Sequence, residues 1–266
     1  MIRLRCVLLL ILLAHPFSTL HAQSVASPGN DFSYFSRKNS FGVFVEYSNN
    51  SSHILLGQAR NRKLATLGAT YTHRLLLRRS VDLQYLAELR PVLFESDPLT
   101  IETESYFGPP ANFSFSSGTA LDQRCPPKPF TRNGILPSGP YAGSPYTLVF
   151  TFTCGRQWTF GQELSPLGMK INLFPHHRLQ PVFTVDAGYA FSSQPIPDEI
   201  AGSLNFTFEL GGGLELYRQR QSSNSIFGNR SLRAEYRYNH ISNAFTARTN
   251  PGIDSGLVQI TFAFGR

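Results

Sequence analysis

The sequence is short of the features that most function classes need. Charged residues are only 15% of the chain, and no Lys-rich run or nucleic-acid motif accompanies its formal charge of +7, so nucleic acid is not an expected partner. Beyond the first two dozen residues there is no stretch of about 18 uninterrupted apolar residues, which excludes a membrane-spanning helix. Helical periodicity is equally scarce. Three cysteines without paired metal-ligand spacing, and no Gly-x-Ser-x-Gly elbow, leave no sign of a zinc site or an α/β-hydrolase. No metal or cofactor is required by the residues present. Gly211, Gly212 and Gly213 precede no helix, so they predict a strand bend or bulge and not a phosphate loop.

What is present begins with a leader. Arg3 and Arg5 precede an apolar run from Val7 to Ala14, and Leu20, His21 and Ala22 follow before Gln23. This order predicts a secretory signal peptide over residues 1–22 and an exported mature chain over 23–266. Removing Arg3 and Arg5 with the leader leaves a charge of +5, compatible with anionic head groups or with solubility alone. Of the cysteines that remain, Cys125 and Cys154, an oxidising compartment favours a disulfide over two free thiols.

Alternation dominates the mature chain. Phe41, Val43, Val45 and Tyr47 alternate with Gly42, Phe44, Glu46 and Ser48, and the same period recurs near residues 66–72, 81–90, 169–173, 183–189, 204–210, 235–242 and 254–264. Eight strands of this kind suit the smallest outer-membrane barrels, and the expected fold is an all-β, eight-stranded antiparallel transmembrane β-barrel. Periodicity alone leaves a soluble sandwich open; connection lengths argue for the barrel. Links at 78–80 and 174–178 are short, whereas those at 48–62, 95–146 and 192–202 are long, the habit of barrels with periplasmic turns and external loops. The link from Arg218 to Arg230 is longer than that rule expects. The Pro-, Gly- and Ser-rich segment at about 95–146 reads as a long irregular external loop. The apolar run from Tyr146 to Thr153 either extends the fourth strand above the membrane or forms a separate hairpin.

Strand parity then isolates one group of residues. Tyr236, Tyr238, His240 and Ser242 share a face, and Asp254 shares one with Val258, Ile260, Phe262 and Phe264. A base, a hydroxyl and an acid therefore project from surfaces otherwise suited to lipid, near the external end of one hairpin. A hydroxyl needs an adjacent base, and the base an acid that fixes its tautomer. Asn243 offers an amide donor beside the hydroxyl. Singly, a His on an aromatic face is an interfacial anchor and a nearby Ser is incidental; the grouping is what points to nucleophilic catalysis.

The segment from Tyr238 to Ala244, with Asn250, Gly252, Ile253 and Asp254, resembles the lipid A 3-O-deacylase (PagL) family of outer-membrane esterases. The resemblance implies an eight-stranded barrel whose His-x-Ser-Asn motif and downstream acid cleave an ester-linked acyl chain from lipid A. It implies Ser242 as nucleophile, His240 as general base, Asp254 as acid, and Asn243 with the Phe245 backbone as oxyanion donors. It also implies lipopolysaccharide of the outer leaflet as partner and the outer membrane as location. The family usually has Glu where Asp254 stands and Gly where Phe245 stands. An Asp must come closer to His240 by about one carbon–carbon bond, and a Phe resists positive φ. The alternative expectation is a non-enzymatic barrel with a structural or adhesive role carried by the 95–146 segment.

Overall fold

The computed structural model describes residues 34–35, 37–48, 54–120, 128–196, 202–218 and 229–265. The leader expected over 1–22 and Cys125 lie outside them. Ten strands follow in order: β1 (Asn39–Ser48), β2 (Lys63–Leu77), β3 (Val81–Phe107), β4 (Phe113–Ala120), β5 (Phe130–Ile135), β6 (Pro145–Leu173), β7 (Leu179–Ser192), β8 (Leu204–Tyr217), β9 (Arg230–Ser242) and β10 (Ile253–Gly265). Eight of them close into an antiparallel ring, β3-β2-β1-β10-β9-β8-β7-β6, with β6 pairing back onto β3. Closure leaves the ring no unpaired edge, the condition for strands to cross hydrocarbon.

The two faces of the ring divide as the alternation requires. Phe41, Val43, Val45 and Tyr47 point outward, each more than half exposed. Their neighbours point into the lumen, where Glu46, Glu88, Arg90, Glu209 and Arg237 are buried. Such charges survive burial only by pairing. Arg90 donates to both oxygens of Glu46 (2.9 and 3.0 Å) and to Glu88 (2.9 Å), Glu163 (3.0 Å) and Glu209 (2.6 Å). Arg237 donates to Glu88 (2.8 Å) and Glu209 (2.9 Å). Carboxylate oxygens of Glu46, Glu88 and Glu209 gather within 4.8 Å of one another, with these two guanidiniums as their counter-charges, so the cluster is an ion network. An outward apolar wall around a matched polar lumen makes this a transmembrane β-barrel. Replacing Arg90 with alanine leaves Glu163 without its ion-pair partner and removes one of the counter-charges shared by Glu46, Glu88 and Glu209, and we expect it to cost the barrel about 3–5 kcal/mol. Guanidinium unfolding in detergent, followed by heat-modifiable migration, measures this; an unchanged midpoint would refute the assignment.

Two expectations need correction. The described residues of the segment at 95–146 form strands instead of an irregular loop: β3 and β6 run on past the ring, pairing without a register shift from Leu93↔Gly161 to Phe107↔Thr147, and β4 and β5 flank them. The run from Tyr146 to Thr153 thus extends the strand that enters the barrel. Composition misleads here because Pro109, Pro110, Pro137 and Pro140 fall in the connections, leaving the intervening residues free to pair. Likewise, β8 passes through Gly211–Gly213 with no register shift against either neighbour. Gly211 leaves out a Cβ that would sit 2.6 Å from Cγ of Arg237, so it makes room for the lumen network.

The long-loop end of the lumen changes character. Leu64, Leu93, Ile241, Ile253 and Leu257, with Ala59 and Ile196, form a buried apolar cluster. Ile241 and Ile253 follow His240 and precede Asp254 in sequence, so the outward-facing pair stands on a closely packed apolar base.

Candidate functional site at the end of the β9–β10 hairpin

β9 and β10 pair in the register that sets His240 directly opposite Asp254. Cross-strand partners share a face and lie about 4.5–5.5 Å apart at Cβ, which suits an acid as short as Asp. The His240 Nδ1 lies 2.7 Å from Asp254 Oδ1. The pair is nearly closed to solvent, with side-chain exposures of 13% and 0%. With Asp254 ionised, Nδ1 carries the proton and donates, so Nε2 is left as an acceptor.

Asp254 is held by more than its histidine. Tyr238, two residues back on the same face, donates its hydroxyl to Oδ1 at 2.8 Å. The other oxygen, Oδ2, accepts the backbone N–H groups of Leu55 (2.7 Å) and Leu56 (2.8 Å), from the β1–β2 loop. That loop is tied to the β9–β10 connection by Gln58 N to Pro251 O (2.7 Å) and Ala59 N to Gly252 O (3.1 Å). Gly57 makes this seating possible, because a Cβ there would overlap the Asp254 backbone nitrogen and lie 2.9 Å from its Cγ. Neither the loop clamp nor the part played by Tyr238 is legible in the sequence. Backbone donors carry no side-chain signature; Tyr238 was visible only as one residue of the shared face.

Ser242 lies two residues beyond His240 on the outward face and is half-buried. Among the described residues its hydroxyl makes no hydrogen bond, with His240 Nε2 or any other group. Backbone rise puts residues i and i+2 roughly 7 Å apart, so the two side chains must lean toward one another for Oγ to bond Nε2. Such contacts commonly tighten only when substrate arrives.

The two expected oxyanion donors have other partners in this structure. The Asn243 amide nitrogen donates to Thr249 O (2.6 Å), and its Oδ1 accepts the Phe245 N–H (2.9 Å), closing an Asx turn. Thr246 donates through its N–H (3.0 Å) and its hydroxyl (2.7 Å) to Asn243 O. Asn243 is thus buried as the brace of the 243–250 turn. Ala244 and Phe245 both take positive φ, 49° and 62°, a conformation that costs a β-carbon residue on the order of 1 kcal/mol or more. Phe245→Gly is therefore expected to stabilise the folded barrel by about 1 kcal/mol. A higher midpoint in guanidinium unfolding checks it, and a lower one would contradict the strain. Cys154 is disulfide-bonded.

The fold and the hairpin together define a class: a small transmembrane β-barrel with a His–carboxylate pair and a serine on its lipid-facing wall. Residues 140–262 match the family model for lipid A 3-O-deacylase (PagL), the family that the hairpin residues resemble. The matched span includes His240, Ser242, Asn243, Phe245 and Asp254 and excludes β4 and β5. No curated protein matches the chain. Among solved structures the chain is similar to the crystal structure of Neisserial surface protein A (NspA), at 10% identity over 86% of this chain and 97% of that one, with a TM-score of 0.39.

Proposed function

We propose that the protein is an outer-membrane serine esterase that removes an ester-linked acyl chain from lipid A. The observation that carries this reading is the His240–Asp254 bond of 2.7 Å on the outward wall, beside Ser242 and at the long-loop end of the barrel. A catalytic pair facing the lumen would never meet a lipid; one facing outward at this level meets the acyl esters of outer-leaflet lipopolysaccharide. An apolar recess of about 330 Å³ supports the same reading. Its lining includes Tyr85, Leu167, Met169, Val185, Ala187 and Phe208, and Phe208 is the cross-strand partner of His240. An acyl chain lying there would reach β8, the strand beside His240.

In the proposed reaction Ser242 Oγ attacks the ester carbonyl while His240 Nε2 takes its proton. Asp254 stabilises the imidazolium so formed. Collapse of the tetrahedral species expels the sugar oxygen, which recovers the proton from His240. Water, activated by the same nitrogen, then releases the fatty acid and restores Ser242. Asn243 and Phe245 act on the oxyanion in this scheme by exchanging their turn bonds for bonds to substrate, an exchange aided by the strain at residues 244 and 245.

Mass spectrometry of lipid A from an outer membrane holding the folded protein tests the reading. Loss of the mass of one acyl chain is expected, and unchanged lipid A would refute it. The clamp has its own test. Gly57→Val drives the β1–β2 loop off Asp254 and removes two charge-assisted hydrogen bonds, so deacylation should fall at least about tenfold. Rates in detergent micelles measure it; a rate within twofold of wild type would dismiss the clamp.

A further inference from the structure

We infer that the sheet projecting from the barrel, formed by β4, the outer part of β3, the outer part of β6 and β5, binds the saccharide portion of lipopolysaccharide through one aromatic face. Register fixes which residues share that face. Phe115, Glu104, Phe150 and Phe130 lie in one row across the four strands, and Phe113, Tyr106, Leu148 and Arg132 in the next. Rings pack along it: Phe130 on Phe150 at 4.5 Å and Tyr106 on Phe113 at 4.9 Å between centroids. They are not used up by this packing, since Phe113, Phe115 and Phe130 remain 58%, 53% and 48% exposed.

The opposite face has different chemistry. There the hydroxyls satisfy one another, as in Thr103 with Ser116 (2.8 Å) and Ser114 with Ser105 (2.8 Å). The opposite face also exposes Phe107 and Ile135, but only the first face gathers its rings into adjoining rows, the kind of exposed patch that marks a binding surface.

Height above the membrane selects that occupant. The aromatic face continues, without a register shift, the face that carries Phe94, Phe160 and Trp158, all exposed and suited to the aromatic girdle at a barrel's outer interface. From Ser96 to Tyr106 the strand rises roughly 33 Å, or about 25 Å along the membrane normal at a barrel tilt near 40°. Hydrocarbon ends well below that level. In the outer leaflet proposed above, on which this inference rests, the level is occupied by sugars. Pyranose rings offer a C–H face to aromatic quadrupoles and hydroxyls at their rim. Glu102, Glu104 and Arg132 stand among the rings to take those hydroxyls and have no ion-pair partner among the described residues.

The test uses the full chain folded in detergent, in the Ser242→Ala background so that catalysis plays no part. Delipidated core oligosaccharide is titrated by calorimetry. Saturable binding is expected, weakened about tenfold or more by Phe115→Ser with Phe130→Ser, and unaffected by Phe107→Ser on the opposite face. Should the double variant lose heat-modifiable migration, Arg132→Gln must weaken binding instead. Absence of saturable binding, equal binding by the aromatic variants, or binding of lipid A micelles but not of the oligosaccharide would overturn the inference. So would a concentration-dependent dimer abolished by the double variant, which would assign the face to a second copy. Oligosaccharide binding without any deacylation by the wild type would sink the esterase reading and leave this one standing.

Discussion

Ser242→Ala is expected to leave a folded barrel that deacylates lipid A at least about a thousandfold more slowly than the wild type. The size of the effect follows from what the hydroxyl would do. It is the group on the outer wall that His240 Nε2 can activate without displacing anything, because it makes no hydrogen bond among the described residues. Removing it leaves His240 only water to activate, and water held by no covalent tether is a far poorer attacker than an adjacent oxygen. Alanine also removes no packing of consequence, since Ser242 is half-buried on an outward face. Heat-modifiable migration should therefore be unchanged while product formation disappears. A residual rate above about one-hundredth of wild type would remove Ser242 from the nucleophile's role.

Asp254→Asn is expected to cost on the order of a thousandfold or more in turnover, for a reason set by the clamp. Leu55 and Leu56 present two N–H donors to Oδ2, so an asparagine turns its carbonyl oxygen toward the loop. Its NH2 group then faces His240 Nδ1 and the Tyr238 hydroxyl. Nδ1 must accept, the proton moves to Nε2, and the nitrogen beside Ser242 can no longer take a proton. The opposite amide orientation sets NH2 against two backbone donors and is disfavoured by unmet hydrogen bonds. Initial rates in mixed micelles decide the matter. A loss below tenfold would mean that Asp254 does not set the tautomer.

Much of this architecture is legible in the sequence, and the reasons differ by element. Side-chain alternation identifies both faces of β1, β9 and β10, and short links at 78–80 and 174–178 give one end of the barrel. Parity alone brings His240 and Asp254 to the outward wall, since two antiparallel strands joined by one loop can hardly avoid meeting. Register is another matter: that His240 stands opposite Asp254 depends on how the 243–252 loop folds. Asn243 shows the limit of motif reading. Its place beside Ser242 predicts an oxyanion donor, yet its burial and its bonds to Thr249 and Phe245 make it the brace of a turn. Positive φ at Phe245 could not be read from a residue that avoids it. The Leu55 and Leu56 clamp is invisible because any residue supplies an N–H. The projecting sheet is masked by composition: Pro109, Pro110, Pro137 and Pro140 fall in its connections and obscure strands whose Phe and Ser alternate.

The central claim is that Ser242 is an activated nucleophile on the lipid-facing wall. Treating the folded protein with a fluorophosphonate and locating the adduct by peptide mass tests it most directly. A single adduct on Ser242, lost in His240→Ala, is the result expected. No adduct on the folded wild type, or one at another residue that persists in Ser242→Ala, would contradict it.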